Sequence, residues 1–433
     1  MRCKFHPLVL ALMLSLSGGA LASSAKAPAR KGAAPEKAPA VTEITFAHQL
    51  ARSNAERLAA LVERFNSQNK DVRINLIHAE AHGKPAHLNL ATTETVANFV
   101  VNQASFKPLH QLMKETREPL APKDLSTDLW VGESKNKPVA LPVAFSTPVL
   151  FYNKRIFRKA GLDPEQPPRT WRQMQDMAGV MVDRGITCPY TSSWPVWVHI
   201  DNVSSVSGVP VADKKGELGF NGLPQVKHVA MLATWHKAGY FHNVGRTNEA
   251  DEYFHKNECA MLTSDSWAAS YLREAPGVEL GVAPLPYHED IYGGPRHTLA
   301  GGASIWIGGG YKPQEYKAVA RFVRFILAPE TQMDLARVGG FLPLTDTARK
   351  ALKAQLPKDE EQVLDVAYAS LQGKGAAQPL RISTLEPVRM IVDEELEQVW
   401  ADKKPAKAAL DTAVSRGNSV LAAKPALKKV VAF

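Results

Sequence analysis

The sequence predicts an α/β fold built on parallel sheet, and three observations predict it. Ile44 and Phe46 fall on one side of a short strand pattern at 42–47, and Val72, Ile74 and Leu76 alternate with polar residues. Between them Leu58, Leu61, Val62 and Phe65 recur at helical spacing over 54–69. A strand, a helix and a strand at this spacing make a βαβ unit, whose strands run parallel because the helix returns the chain across the sheet. The third observation is length. The 433 residues, less the first 40, suffice for two domains or one large two-lobed unit.

Taken in order, the chain begins with Arg2 and Lys4, an apolar run from Leu8 to Leu16, and Ala20-Leu21-Ala22. A positive start, a short apolar stretch and an A-x-A site define a secretory signal peptide over 1–22, cut near Ala22, and the mature chain is expected in a bacterial periplasm. The run is too short for a membrane span, which needs roughly 20 apolar residues. Residues 23–40 are mostly Ala, Pro, Lys and Ser, too poor in bulky apolar side chains to offset ordering entropy, and are read as a disordered tether.

The helical and strand patterns recur further on. Residues 148–153 suit a strand and 154–160 a helix that Gly161 stops. After Asp163-Pro164 and Pro167-Pro168, Thr170 and Gln173 have the spacing of a capping box, and Trp171, Met174, Ala178 and Met181 form the buried side of its helix. Gly301-Gly302-Ala303-Ser304 leads into an apolar strand at Ile305–Ile307, and helices are expected at 386–400 and 406–421.

Composition narrows the function. The net charge is +9, but several of the basic residues lie in the leader and tether and the rest are scattered among acids, so no nucleic-acid-binding stripe is present. There is no nucleophile elbow, phosphate-binding loop, dinucleotide fingerprint or zinc-protease motif, and no enzyme is expected. His78 and His82 are four apart but straddle a strand end and a Gly-Pro-containing loop, not a helix. No cofactor or metal is expected. Cys3 belongs to the leader; Cys188 and Cys259 are either a disulfide or two buried thiols.

One set of motifs is more specific. Leu141-Pro142, Ser146-Thr147-Pro148-Val149-Leu150-Phe151-Tyr152-Asn153-Lys154, the run from Lys159 to Pro168, and Thr170-Trp171 resemble the family-1 extracellular solute-binding proteins of ABC importers. Val244-Gly245-Arg246, Cys259-Ala260-Met261, Gly301-Gly302-Ala303-Ser304, Leu342-Pro343 and Arg389 through Glu397 match most closely the glycerol-phosphate branch of that family. The resemblance covers most of 41–421 and implies a type II periplasmic-binding fold. This has two lobes, each a mainly parallel sheet flanked by helices, joined by crossovers, with the ligand in the cleft between them. The first lobe is expected at 41–147 with a return segment at about 303–345, the second at 148–302 with closing helices at about 346–425.

The implied function is capture of sn-glycerol-3-phosphate or a glycerophosphodiester such as glycerophosphocholine, as a monomer that delivers it to an inner-membrane permease. Alternatives are a binder of another solute, such as a sugar, or a chain that keeps the fold for an interaction or sensory role. Carried over position by position, the resemblance places Glu94, Ser146, Gly302 and Arg389 at ligand contacts and Trp194 and Trp197 along the cleft wall. Arg389 would fork onto phosphate oxygens, and Glu386 or Asp393, on the same expected helix, are alternative partners for it. Three features depart from the family pattern. Asp265, followed by Ser266, stands where the family has serine; Phe341 replaces a tyrosine; and a segment bearing another tyrosine is shortened at 82–90. A carboxylate beside phosphate is repulsive, so Asp265 points to a ligand with a cationic part.

Overall fold

β1 (Thr42–His48) and β2 (Val72–His78) pair in parallel, with Ile44 opposite Ile74, and the helix Arg52–Gln68 connects them. This is the βαβ unit expected from the hydrophobic pattern. The computed structural model describes residues 41–424 apart from 51, 79–83, 93–94, 119, 121–136, 291–294 and 373–385. The expected leader and tether, Glu94, and His82 therefore lie outside the described residues.

β3 (Leu88–Thr92) lies parallel on the other side of β1. β4 (Phe106–Lys107) and β5 (Leu141–Ser146) follow in the same sheet. The chain then crosses to a second sheet: β6 (Pro148–Asn153), β7 (Tyr190–Ser192), β8 (Phe241–His242), β9 (Met261–Asp265) and β10 (Leu280–Pro284), in the order β10-β6-β9-β7-β8. β11 (Gly301–Gly308) returns to the first sheet, whose order is β2-β1-β3-β11-β4 with β5 also paired to β11.

Both sheets are mixed, which corrects the expectation of mainly parallel ones. β11 runs antiparallel to β3, β4 and β5, and β6 runs antiparallel to both its neighbours, β9 and β10. The reason is connectivity. A parallel neighbour needs a crossover helix that leaves and re-enters the same sheet, whereas β6 and β11 are delivered from the other sheet and carry no such constraint.

Each sheet has its own core. In the first, Phe322 meets Phe46 and Phe65 edge-on at 5.9 and 5.1 Å, packed with Leu88, Phe145 and Ile305. In the second, Trp171, Tyr190, Trp235 and Phe241 pack with Val392 and Leu410 from the two closing helices. The first core extends through Leu352, Leu364, Tyr368 and Leu371. The helices Glu386–Trp400 and Ala406–Ala423 join the second core. The helix Lys358–Leu371 serves both: Leu364, Ala367, Tyr368 and Leu371 join the first core, while Val363 and Val366 pack on Val149, Phe151 and Val282 of the second sheet.

The helix Trp171–Asp183 begins on the expected capping box. Thr170 Oγ1 accepts from the Gln173 amide at 3.2 Å, and Gln173 Oε1 accepts from the Thr170 amide at 3.3 Å. Its buried residues are Trp171, Met174, Ala178 and Met181. Cys188 and Cys259 are joined by a disulfide that ties the start of β7 to the start of β9.

Candidate functional site

A single residue, Thr147, separates β5 in the first sheet from β6 in the second. It is fully buried and pinned to the far end of β9: the Ser266 amide donates to Thr147 O at 2.8 Å, and the Thr147 amide donates to Ser266 Oγ at 3.1 Å. Strand pairing does the rest. Ser146 lies opposite Gly301, Phe145 opposite Gly302, and Pro148 opposite Asp265. Four predicted positions, Ser146, Gly302, Asp265 and Ser266, are therefore gathered around one crossover.

Gly302 is required there. Its φ is +140°, and a Cβ would stand 2.1 Å from Ala144 O and 2.6 Å from the Phe145 Cα. Only glycine lets β11 approach β5 this closely. At neighbouring Gly301 the contact is with Trp197, whose ring stands 3.3 Å from where a Cβ would be. Trp197 opens a π-helical turn, Trp197–Asn202. Trp194 takes a positive φ of 52° and its amide donates to Thr247 O at 2.7 Å, which fixes its indole beside the Asp265 carboxyl.

Asp265 accepts from the Ala268 amide at 3.2 Å. Burial pushes its carboxyl up to about 7, with the Asp251 charge acting in the same direction and the N–H groups of Ala268, Trp267 and Trp194 opposing. Asp251 itself accepts from Ser193 Oγ at 2.7 Å and from the Tyr271 hydroxyl, and burial raises its pKa. Two carboxyls thus sit behind the tryptophans.

Phe341 stacks on Trp267, with centroids 5.4 Å apart and planes at 30°. The Arg57 guanidinium, on the helix that follows β1, lies 5.7 Å from the same indole. Trp267 therefore joins the end of β9 to elements of the first sheet. Both Trp197 Nε1 and Trp267 Nε1 are buried without a hydrogen-bond partner among the described residues.

Arg389 stands apart from this cluster. It pairs with Glu386 one turn earlier on its own helix. Asp393, one turn later, is buried, and burial pushes its carboxyl up to about 7 against the opposing charges of Arg389 and Arg246. Arg246 forks onto Glu397 at 2.6 and 2.7 Å. Since Arg246 precedes Thr247, whose carbonyl holds Trp194, this charged group is continuous with the tryptophan wall.

Sequence reasoning missed Thr147, Trp267, Asp251 and Arg57. The first two adjoin predicted residues in the chain, and that adjacency was an available signal. Asp251 and Arg57 come from other elements and only the fold brings them in. Among the described residues, no group of three or more His, Cys, Asp or Glu could hold a metal ion, and no helix is long and apolar enough to cross a membrane.

Two sheets with separate cores, a one-residue crossover and polar strand ends walled by tryptophan define a two-lobed α/β ligand-binding protein. The chain belongs to the bacterial extracellular solute-binding proteins, whose family profile matches residues 60–362. It is 34% identical over 412 residues to the sn-glycerol-3-phosphate-binding periplasmic protein UgpB of Pectobacterium atrosepticum, covering 89% of this chain and 92% of that protein. The protein of the same description from Escherichia coli K12 is 34% identical over 410 residues, covering 89% and 93%. Among solved structures, UgpB from Mycobacterium tuberculosis in complex with glycerophosphocholine superposes with a TM-score of 0.71 at 17% identity, covering 88% of this chain and 99% of that one. Maltose-bound MalE3 of T. maritima gives 0.68 at 18% identity, covering 88% and 100%. The structural likenesses establish the type II periplasmic-binding fold.

Proposed function

We propose that this chain is the exported, ligand-capturing component of an ABC importer for sn-glycerol-3-phosphate or a glycerophosphodiester. The observation that carries the reading is likeness along nearly the whole chain to relatives described as glycerol-3-phosphate-binding periplasmic proteins. The chemistry of the site supports it. Arg389 offers a planar fork for phosphate oxygens, Ser146 a hydroxyl and Gly302 a backbone approach with no side chain in the way. Trp194 and Trp197 cover a carbon skeleton while Glu94 accepts from its hydroxyls. The leader at 1–22 directs the chain to the periplasm, where it acts as a monomer, without catalysis or cofactor, closes its lobes on the ligand and docks on a membrane permease.

A diester with a cationic end, such as glycerophosphocholine, is favoured over the plain monoester by one feature. The buried carboxyls Asp265 and Asp251 stand behind aromatic rings, an arrangement that suits a cation.

The test is a thermal-shift screen of the mature chain against sn-glycerol-3-phosphate, glycerophosphocholine, inorganic phosphate and maltose. Binding to the folded state alone adds about 2.7 kcal/mol of stability at a ligand concentration 100 times Kd. A rise with either glycerol compound and none with maltose is expected. A rise with maltose alone would replace this reading with a sugar receptor.

A further inference from the structure

Resting on that proposed function, we infer that Glu386 sets the charge of ligand the site accepts, favouring a singly charged phosphodiester over a doubly charged phosphomonoester. Arg389, the residue nominated to grip phosphate, is already paired with Glu386, and its side chain is only 18% exposed against 37% for Glu386. Among the described residues, the positive charges acting on Asp393 are those of Arg389 and Arg246. Arg246 is the other arginine beside Asp393, and both arms of its fork are taken by Glu397. Three acids, Glu386, Asp393 and Glu397, thus surround two arginines. The contact uses one nitrogen of the Arg389 guanidinium, so a phosphate gripping the remaining N–H donors lies beside the Glu386 carboxylate, which stays tethered one turn away on the same helix. Its repulsion of the ligand scales with ligand charge. A diester carries one negative charge and a monoester close to two at neutral pH, so the penalty falls harder on the monoester.

Glu386 also lies in the first turn of its helix, where a negative charge interacts favourably with the free amides. A residue kept only for that purpose would affect stability and leave ligand preference alone, which separates the two roles.

The experiment is calorimetric titration of the mature chain, Glu386→Gln and Glu386→Asp with sn-glycerol-3-phosphate and with glycerophosphoglycerol, whose second glycerol is uncharged. Thermal unfolding without ligand checks that each variant folds. Glu386→Gln is expected to tighten both ligands and to raise the monoester-to-diester affinity ratio about fivefold, the effect of one unit charge at contact distance in a water-like medium. Glu386→Asp, which keeps the charge, retains the wild-type ratio. Binding with an unchanged ratio in Glu386→Gln overturns the inference and leaves the transport role standing. If the wild-type chain binds neither of these esters nor glycerophosphocholine, the transport role itself fails, and the inference with it.

Discussion

His199 Nδ1 and His228 Nε2 lie 3.0 Å apart inside the second lobe, both side chains shut off from solvent. The contact is one link of a chain. His228 Nδ1 meets His288 Nε2 at 3.1 Å, and the Tyr190 hydroxyl meets His199 Nε2 at 3.2 Å and Thr263 Oγ1 at 2.7 Å. A neutral imidazole donates at one nitrogen and accepts at the other, so the row is satisfied when all its rings are neutral and share one tautomeric sense.

This row makes stability depend on acid. Burial lowers the pKa of His199 to about 3, that of His288 to about 4 and that of His228 well below 6.5. Lys227 also lowers His288, and Asp290 opposes it. Folded pKa values below the unfolded one mean that the stabilisation is complete above about 6.5 and is lost as pH falls beneath it. The slope is up to about 1.4 kcal/mol per pH unit for each histidine. Asp265 and Asp393, whose pKa values are raised, act in the opposite sense between their ordinary value of 3.8 and about 7. The informative readout is therefore the difference between wild type and His288→Gln in urea titrations from pH 7.5 to 4.5. Wild type should lose more stability on acidification, and equal losses would rule out a titrating role for the row.

Asp265 gives ligand binding its own pH profile. Its carboxyl is neutral below about 7 and charged above. Affinity for glycerol phosphate should then fall several-fold between pH 6.8 and 8.5, the cost of a new negative charge near an anion. Asp265→Ser should tighten the monoester at high pH and flatten part of the profile, the remainder belonging to Asp393. A profile identical in wild type and variant would show that Asp265 does not face the ligand.

Removing the Cys188–Cys259 bond should cost about 4 kcal/mol, the loop-closure entropy of the 71-residue separation it spans. Denaturant midpoints for Cys188→Ser with Cys259→Ser, beside the oxidised wild type, measure it. Reduced wild type should resemble the double variant, and a loss below about 1 kcal/mol would mean that the reduced chain retains the constraint by other contacts.

What could be read from the chain was what neighbouring residues decide. The capping box at Thr170 and Gln173, the buried face from Trp171 to Met181 and the pairing choice open to Arg389 all lie within a few residues. Strand direction did not follow, because β11 takes its partners from segments far away in the chain. The nearness of Asp251 to Asp265 arises only when the helix Glu249–His255 packs on β9. The histidine row was equally hidden, since its members come from a π-helical turn, a helix and a loop with no common spacing. The candidate site was legible as a set of positions through resemblance, and its electrostatics only through the fold.

Thr147 has a mechanical consequence. One residue is the whole covalent bridge between β5 and β6, and Ser146 and Asp265 flank it from opposite sheets. A turn about its torsions would move these two side chains along short arcs, while parts of each lobe would travel further in proportion to their distance from it. Under the proposed function, a ligand of a dozen atoms seated at this pivot would act at the short end of a lever whose long ends are the outer surfaces of the protein.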